Sequence, residues 1–334
     1  MSLLVGLEFK PLTDWFSREG RTYPWSSTHD PYKIWISEVM LQQTTVQTVV
    51  LRYERWLSRW PNLEALAQAE ENEVLREWEG LGYYSRGLSL LRTSRKLVLQ
   101  GGFPRDPKSL LQFPGIGPYT AAAVASFAFA QPCLTLDANL KRVFQRLAAE
   151  PTWTRELENE ALGRAQSAFK TLPSRELNQG MMQLGQLVCR PRAPLCQNCP
   201  LAQGCRAFQT GRTASIPQRT PRQIENLATN LGVFYRHSAF GAIEFFVAHP
   251  GQGRFSRLWA FPPSPPKGFS LTPRFHTYTR YKDLLTPWLS FENGSPALPE
   301  GWTGSWLSEV ELEKLGMPSV HRKILDEALS ELKK

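Results

Sequence analysis

Four of the five cysteines stand at Cys189, Cys196, Cys199 and Cys205, a C-x6-C-x2-C-x5-C run within seventeen residues. Four thiolates this close can surround one metal centre, either a zinc ion or an iron–sulfur cluster. Zinc sites usually show two C-x2-C pairs separated by a dozen or more residues, whereas here a single pair is flanked by lone cysteines. The spacing favours a [4Fe–4S] cluster, with zinc behind it. A disulfide framework comes last, because a chain this long needs no covalent staples. Cys133, in an apolar run, reads as a small buried hydrophobe.

A second constellation precedes the cysteines. Phe113-Pro114-Gly115-Ile116-Gly117-Pro118-Tyr119-Thr120 leads into Ala121-Ala122-Ala123-Val124-Ala125. Gly115 and Gly117 let the backbone turn sharply and approach another chain, and Pro118 suits the first turn of a helix. The N–H groups at that helix start can donate to a phosphate oxygen. By itself the segment reads first as a plain helix–turn–helix corner. With the cysteine run and a basic linker beyond it, it reads as a sequence-independent anchor for a DNA backbone.

The elements that must position these groups follow from composition and periodicity. With 334 residues, 42% of them hydrophobic, the chain can bury a core and form two domains or more. Its formal charge of +9 and pI near 9.4 favour a polyanionic partner. Apolar residues recur at three- and four-residue spacing in Val46–Trp60, Leu63–Trp78, Leu88–Leu99 and Leu110–Phe129, predicting helices. Residues 1–210 are therefore expected to form one helical region, with the cysteine loop at 189–205. A polar stretch, 211–228, holding Arg212, Arg219 and Arg222, reads as a linker suited to lying along phosphates. Residues 229–334 turn to short β-type runs at Leu231–Tyr235, Ile243–His249, Trp259–Phe261 and Asp283–Leu289, closed by a helix over Pro318–Leu332. No stretch of eighteen apolar residues predicts a membrane span. The start, carrying Glu8 and Asp14, does not read as a targeting peptide. Free thiols imply a reducing compartment, so a cytoplasmic (in a bacterium, nucleoid-associated) monomer is expected.

The motifs resemble the helix–hairpin–helix superfamily of base-excision DNA glycosylases, in its iron–sulfur branch. The run Trp35-Ile36-Ser37-Glu38-Val39-Met40-Leu41-Gln42-Gln43-Thr44 is similar to the signature of the adenine DNA glycosylase (MutY-type) family. So are Gly80-Leu81-Gly82-Tyr83-Tyr84-Ser85-Arg86 and the Met181-Met182-Gln183-Leu184-Gly185 approach to Cys189. The resemblance runs from about Pro24 to Cys205, and beyond that it holds only in outline. It implies a mainly α N-terminal catalytic region with an iron–sulfur cluster loop, plus a small α+β, Nudix-like C-terminal domain. It also implies a monofunctional glycosylase that acts on double-stranded DNA and removes adenine mispaired with 8-oxoguanine or guanine.

The site residues follow from that resemblance. Glu38 would sit among Ile34, Trp35, Val39 and Met40, where partial burial raises a carboxyl pKa and keeps a proton available for adenine N7. Taken alone, a glutamate is more often a surface residue in ordinary helix pairs, and its place inside the signature reverses that order. Leu41 and Gln42, at i+3 and i+4, would share its helix face, and with Gln43 fill the gap left in the duplex. Asp137, before an expected helix, is an N-cap by position and the stabiliser of the cationic sugar by resemblance; Asn139 is its polar partner. Ala138 stands where the family usually has glycine. Tyr119 stands where bifunctional relatives place a Schiff-base lysine, so strand cleavage is not expected beyond any weak contribution from Lys141. Arg21 and Tyr83 match positions around the adenine pocket and the base stack. In the C-terminal domain the family's His-x-Phe-Ser-His loop becomes His276-Thr277-Tyr278-Thr279-Arg280, leaving Thr279 and Arg280 as candidate lesion readers. A guanidinium cannot copy the hydrogen bonds of an imidazole. No glutamate-rich helix follows Trp259–Pro262, so pyrophosphatase chemistry is not expected. Two other readings remain: a thymine or other mismatch glycosylase of the same fold, and a non-catalytic iron–sulfur DNA-binding protein.

Overall fold

The computed structural model describes residues 3–218, 223–251, 258–278 and 280–334. In chain order the helices are α1 (Lys10–Glu19), α2 (Pro31–Leu41), α3 (Val46–Arg59), α4 (Leu63–Ala67), α5 (Glu71–Glu77), α6 (Ser85–Leu99) and α7 (Pro107–Leu110). They continue with α8 (Pro118–Phe129), α9 (Ala138–Ala148), α10 (Arg155–Ala168), α11 (Ser174–Gln183) and α12 (Arg206–Gln209). The strands are β1 (Glu225–His237), β2 (Ile243–Pro250), β3 (Phe269–Ser270), β4 (Arg274–Tyr278), β5 (Tyr281–Phe291) and β6 (Trp302–Ser308), followed by α13 (Glu309–Glu313) and α14 (Ser319–Leu332). Contacts divide the chain into two compact units, Met1–Ala67 with Arg92–Thr220, and Gln68–Leu91 with Pro221–Lys334.

The first unit is helical throughout. Its central helix, α2, starts at Asp30, whose carboxylate accepts from the Tyr32 and Lys33 amides, with Pro31 at the first helical position. Eight of its residues from Tyr32 to Met40 are buried, so it is covered on all sides rather than along one stripe. Helix α8 packs against it, and its run of alanines lets the two backbones approach closely. Helix α9 faces a core of Leu140, Val143, Phe144 and Leu147, which meets Leu12 and Trp15 of α1 and Leu177 and Met181 of α11. Residues 211–218, read as linker, pack here: Ile216 is buried and Gln218 N donates to the Pro151 carbonyl at 2.8 Å. Arg219 and Arg222 lie outside the described residues.

The second unit carries a mixed six-stranded sheet in the order β3-β5-β1-β2-β6, with β4 also on β5. Strand β1 runs parallel to β5, and the other pairings are antiparallel. Asp283, Leu285, Pro287 and Leu289 of β5 are buried in alternation, placing one face on a core shared with Val233, Phe245, Ile324 and Leu325. This is the α+β architecture expected. Strand β1 begins at Glu225, inside the stretch read as linker. The Trp259–Phe261 run makes only an isolated bridge, Ala248 to Ala260, because Pro262 and Pro263 end the ladder. The apolar run Leu63–Trp78 is two helices, since a capping box between Glu70 and Glu73 opens α5 afresh. Among the described residues, no helix is long and apolar enough to cross a membrane.

Candidate active site and cysteine loop

A cleft of about 860 Å³ in the first unit is lined by Arg21, Glu38, Leu41, Gln42, Gln43, Tyr119, Asp137, Ala138 and Asn139, together with Met182, Gln186 and Leu187. Three separate elements supply the central groups: α2 gives Glu38, the start of α8 gives Tyr119, and the start of α9 gives Asp137 to Asn139.

Glu38 is 3% exposed, and the Tyr119 hydroxyl donates to its Oε2 at 2.5 Å. Burial pushes its pKa from the ordinary 4.5 to about 7; the Tyr119 hydrogen bond pulls it down, and the charge of Asp137 pushes it up. A carboxyl poised there holds a proton at neutral pH and can release it. Burial, with Glu38 beside it, raises the Tyr119 pKa well above the usual phenol range, so its hydroxyl stays a donor.

Asp137 is the N-cap of α9. Its Oδ1 accepts from Leu140 N at 2.7 Å and its Oδ2 from Asn139 Nδ2 at 2.7 Å. There the side chain faces the partial positive charge of the orphan amides at the start of α9. Ala138 is the first helical residue, with ordinary helical geometry, so alanine fits where the resemblance had glycine. Asn139 in turn accepts from Arg142 Nη2 at 3.1 Å, and the same guanidinium donates to the carbonyls of Gly185 at 2.8 Å and Cys189 at 3.0 Å. One turn on, Arg146 Nη1 meets Cys189 Sγ at 3.3 Å and the Arg190 carbonyl at 2.7 Å. Asn139, Arg142 and Arg146 fall on one face of α9 at i, i+3 and i+7. Sequence reading missed the two arginines; the signal was a charge on the border of an otherwise apolar helix face. Gly185 makes this approach possible, since a Cβ there would lie 3.0 Å from Asn139 Cβ.

Around this centre the other expected residues divide. Helix α2 ends at Leu41 and Gln42 turns to extended backbone, so Gln42 does not continue the helix face of Glu38 as expected. It reaches the same cleft from the loop, where its Nε2 donates to Thr120 Oγ1 at 3.1 Å. Gln43 follows at φ 60°, a conformation costing a non-glycine residue order 1 kcal/mol or more. Arg21 is fixed through its backbone, its N–H and C=O each 2.7 Å from the Gln183 amide. Gly115 (φ 79°) and Gly117, the residue before α8, are exposed on the hairpin turn. Lys141 places its ammonium 5.2 Å from the Trp153 ring centre and is not among the cleft's residues. Tyr83 belongs to the second unit. There too, Arg280 is held by Glu225 at 3.1 Å and by the Tyr281 hydroxyl at 3.0 Å. Thr279 lies outside the described residues.

The four cysteines of the loop form no disulfide, and neither does Cys133, which is half-buried and donates to the Ala122 carbonyl. Burial first, and then the neighbouring Cys189, Cys205 and Cys196, push the Cys199 thiol up to about 12, so the four groups lie within electrostatic reach of one another. Among the described residues, no group of three or more His, Cys, Asp or Glu is arranged to hold a metal ion. A single ion needs its donors within about 2.3 Å of one point, whereas a cluster interposes iron and sulfide between the thiolates.

Residues 36–166 match the family of HhH-GPD superfamily base excision DNA repair proteins. The first unit has the helical HhH-GPD fold. The matched segment takes in α2 from Ile36 onward, the hairpin, α8, Asp137 and α9, which supply most of the cleft's lining. The chain is 41% identical over 236 residues to an adenine DNA glycosylase of Mus musculus, covering 66% of this chain and 45% of that protein. It is 42% identical over 309 residues to an adenine DNA glycosylase of Homo sapiens, covering 75% and 56%. It thus spans about half the length of the curated relatives it matches. Among solved structures, a thermostable thymine-DNA glycosylase superposes with a TM-score of 0.55 at 26% identity, over 60% of this chain and 94% of the other.

Proposed function

We propose that this HhH-GPD chain is a monofunctional adenine DNA glycosylase of base-excision repair, acting on adenine opposite 8-oxoguanine or guanine. The observation that carries the reading is Glu38: a buried carboxyl held by the Tyr119 hydroxyl in one cleft with the capped carboxylate of Asp137. Similarity to adenine DNA glycosylases supports the choice of base.

The extruded adenine occupies the cleft. Glu38 gives its proton to N7, the bond between C1′ and N9 breaks, and its electron pair leaves with the base. The sugar cation forms against the Asp137 carboxylate, and water then attacks C1′ and gives its proton to the Glu38 carboxylate, restoring the acid. With one carboxyl buried and its pKa raised, and the other capping a helix, the site separates the two roles by environment. Tyr119 holds Glu38 in place and offers no amine for a Schiff base. The exposed Gly115 and Gly117 turn at the head of α8 receives a backbone phosphate.

The thiols of Cys189, Cys196, Cys199 and Cys205 fit a [4Fe–4S] cluster, being mutually close and unbridged. Bound there, the group would order the loop whose carbonyls Arg142 and Arg146 grip. The second unit reads the base opposite the adenine, and Arg280, already paired to Glu225, is a brace for its loop.

A single-turnover assay on duplexes with adenine opposite 8-oxoguanine, guanine and cytosine, and with a thymine–guanine pair, tests the reading. Adenine release from the first two duplexes is expected, with no strand cleavage. Release of thymine alone would move the chain to the thymine enzymes. Binding without release would make it a recognition module.

A further inference from the structure

The turn between α5 and α6 is bent back on itself, with Gly80 at φ 87°, Gly82 at 68° and Tyr83 at 45°. Glycines take such angles freely, but tyrosine does so only when its surroundings hold it there. Here they do. Trp78 Nε1 donates to the Gly82 carbonyl at 3.0 Å, and Arg86 Nη2 donates to the carbonyls of Leu81 at 2.8 Å and Gly82 at 3.1 Å. The Arg86 guanidinium also lies 5.4 Å from the Trp78 ring centre and 5.6 Å from that of Tyr83. The outcome is a tyrosine left 45% exposed on a rigid turn, with a cation at its ring. Most exposed tyrosines are simply solvated; strain and caging set this one apart. An aromatic ring held outward beside an arginine is suited to stacking on a nucleic-acid base.

Both ends of this turn are gripped by residues more than two hundred positions further along the chain. Before it, Glu79 Oε1 accepts from Met317 N at 2.9 Å and from Arg322 Nη2 at 2.9 Å, while its Oε2 accepts from Arg76 at 2.6 Å. After it, the Tyr84 hydroxyl donates to the Met317 carbonyl at 3.1 Å. Arg322 is itself fixed by the carbonyls of Leu312 at 2.9 Å and Leu315 at 2.7 Å. Gly316 admits no side chain, since a Cβ there would sit 2.5 Å from Leu75 Cβ. Glu79 and Arg322 are nearly buried, so this pair is neither a solvated surface bridge nor easily replaced by water.

We infer that the Leu315–Arg322 segment is a positioning element for Tyr83, setting the angle of a ring that stacks on a base step of the duplex; this rests on the reading of the chain as a DNA glycosylase. Stacking rewards a ring already held at its working angle, because no ordering cost then falls due on binding. The C-terminal unit thereby acts on DNA through a turn from the N-terminal half of the sequence. That action is indifferent to the base opposite the adenine, unlike lesion reading.

The test measures duplex affinity, together with 2-aminopurine fluorescence beside the mismatch, for Tyr83→Ala, Tyr84→Phe, Arg322→Gln and each clamp change combined with Tyr83→Ala. Tyr83→Ala is expected to weaken binding roughly 5- to 150-fold, the range for one lost base stack. Tyr84→Phe and Arg322→Gln should lower affinity by the same factor for 8-oxoguanine and guanine partners, and reduce the fluorescence rise. Neither should add a loss in the Tyr83→Ala background, because residues acting through one contact are non-additive. Equal losses with and without Tyr83 would overturn the inference, showing the segment to act by stability alone. Clamp variants that bind as the parent does would also overturn it, leaving the stacking role of Tyr83 standing. An ineffective Tyr83→Ala in a chain that still releases adenine would remove the stacking role as well, while the glycosylase reading survived. If Arg322→Gln does not fold, Tyr84→Phe, which deletes one hydroxyl, decides the matter.

Discussion

Replacing Glu38 by glutamine separates its chemical role from its cost to the fold. Moving a carboxyl from 4.5 to about 7 means that the ionised form is disfavoured in the folded chain by about 3 kcal/mol. The direction follows from linkage. Below pH 4.5 the carboxyl is protonated folded or unfolded, and glutamine should match it closely. Between pH 4.5 and about 7 the unfolded chain has released the proton while the folded chain still binds it, so wild-type stability falls as pH rises. Above about 7 the loss is complete and level. The substituted amide carries no charge, and its carbonyl oxygen can still accept from the Tyr119 hydroxyl. Denaturation at pH 5, 6, 7 and 8 should therefore show Glu38→Gln gaining on the wild type by up to about 3 kcal/mol, most of it below pH 7. The same substitution removes the acid, so single-turnover adenine release should drop by roughly 10²- to 10⁴-fold. Wild-type release should itself fall about tenfold per pH unit above the Glu38 value. Stability curves that run parallel across this range, or a variant within tenfold of wild-type rate, would refute the buried-acid argument.

Three further outcomes follow from the same geometry. Tyr119→Phe deletes the hydrogen bond that lowers the Glu38 pKa, so the alkaline limb of the pH–rate profile should move to higher pH; a profile left in place would detach Tyr119 from Glu38. Asp137→Asn keeps a side-chain oxygen for the Leu140 amide and should cost under about 1 kcal/mol of stability while release falls by at least about a hundredfold; an equal loss in both would reduce Asp137 to a cap. Purified protein should absorb broadly in the blue and contain about four iron atoms, and Cys199→Ser should lose that iron and melt earlier. Metal analysis giving one zinc and no iron would rule the cluster out.

What could be read from the residues depended on how local the cause was. The burial of Glu38 followed from its apolar neighbours, and Asp137 as a cap followed from its place ahead of a helix, because both are settled within one turn. The end of α2 was less visible: nothing in Leu41-Gln42-Gln43 forbids helix, and the chain leaves it only as the cleft takes shape. Strands β4 and β6 escaped notice because polar residues, and Gly304 in β6, blur their alternation. Arg142 could not be assigned a role because the carbonyls it holds lie more than forty residues away. For the same reason, nothing in residues 68–91 announced that they pack with Leu258, Gly316, Met317 and Arg322.

That grouping has a consequence for how the chain is made. Glu79 leaves the ribosome early with Arg76 beside it, yet its second cationic partner, Arg322, is 243 positions later. At about 5–20 residues per second, Arg322 emerges roughly 12–50 seconds afterwards. Until then a carboxylate destined for the interior must stay in water, and α5 with its turn has no lasting partner. The N-terminal part of the second unit is thus a segment in waiting, translated first and folded last. A chain whose synthesis stops after the helical unit would carry this segment as an unfinished seam.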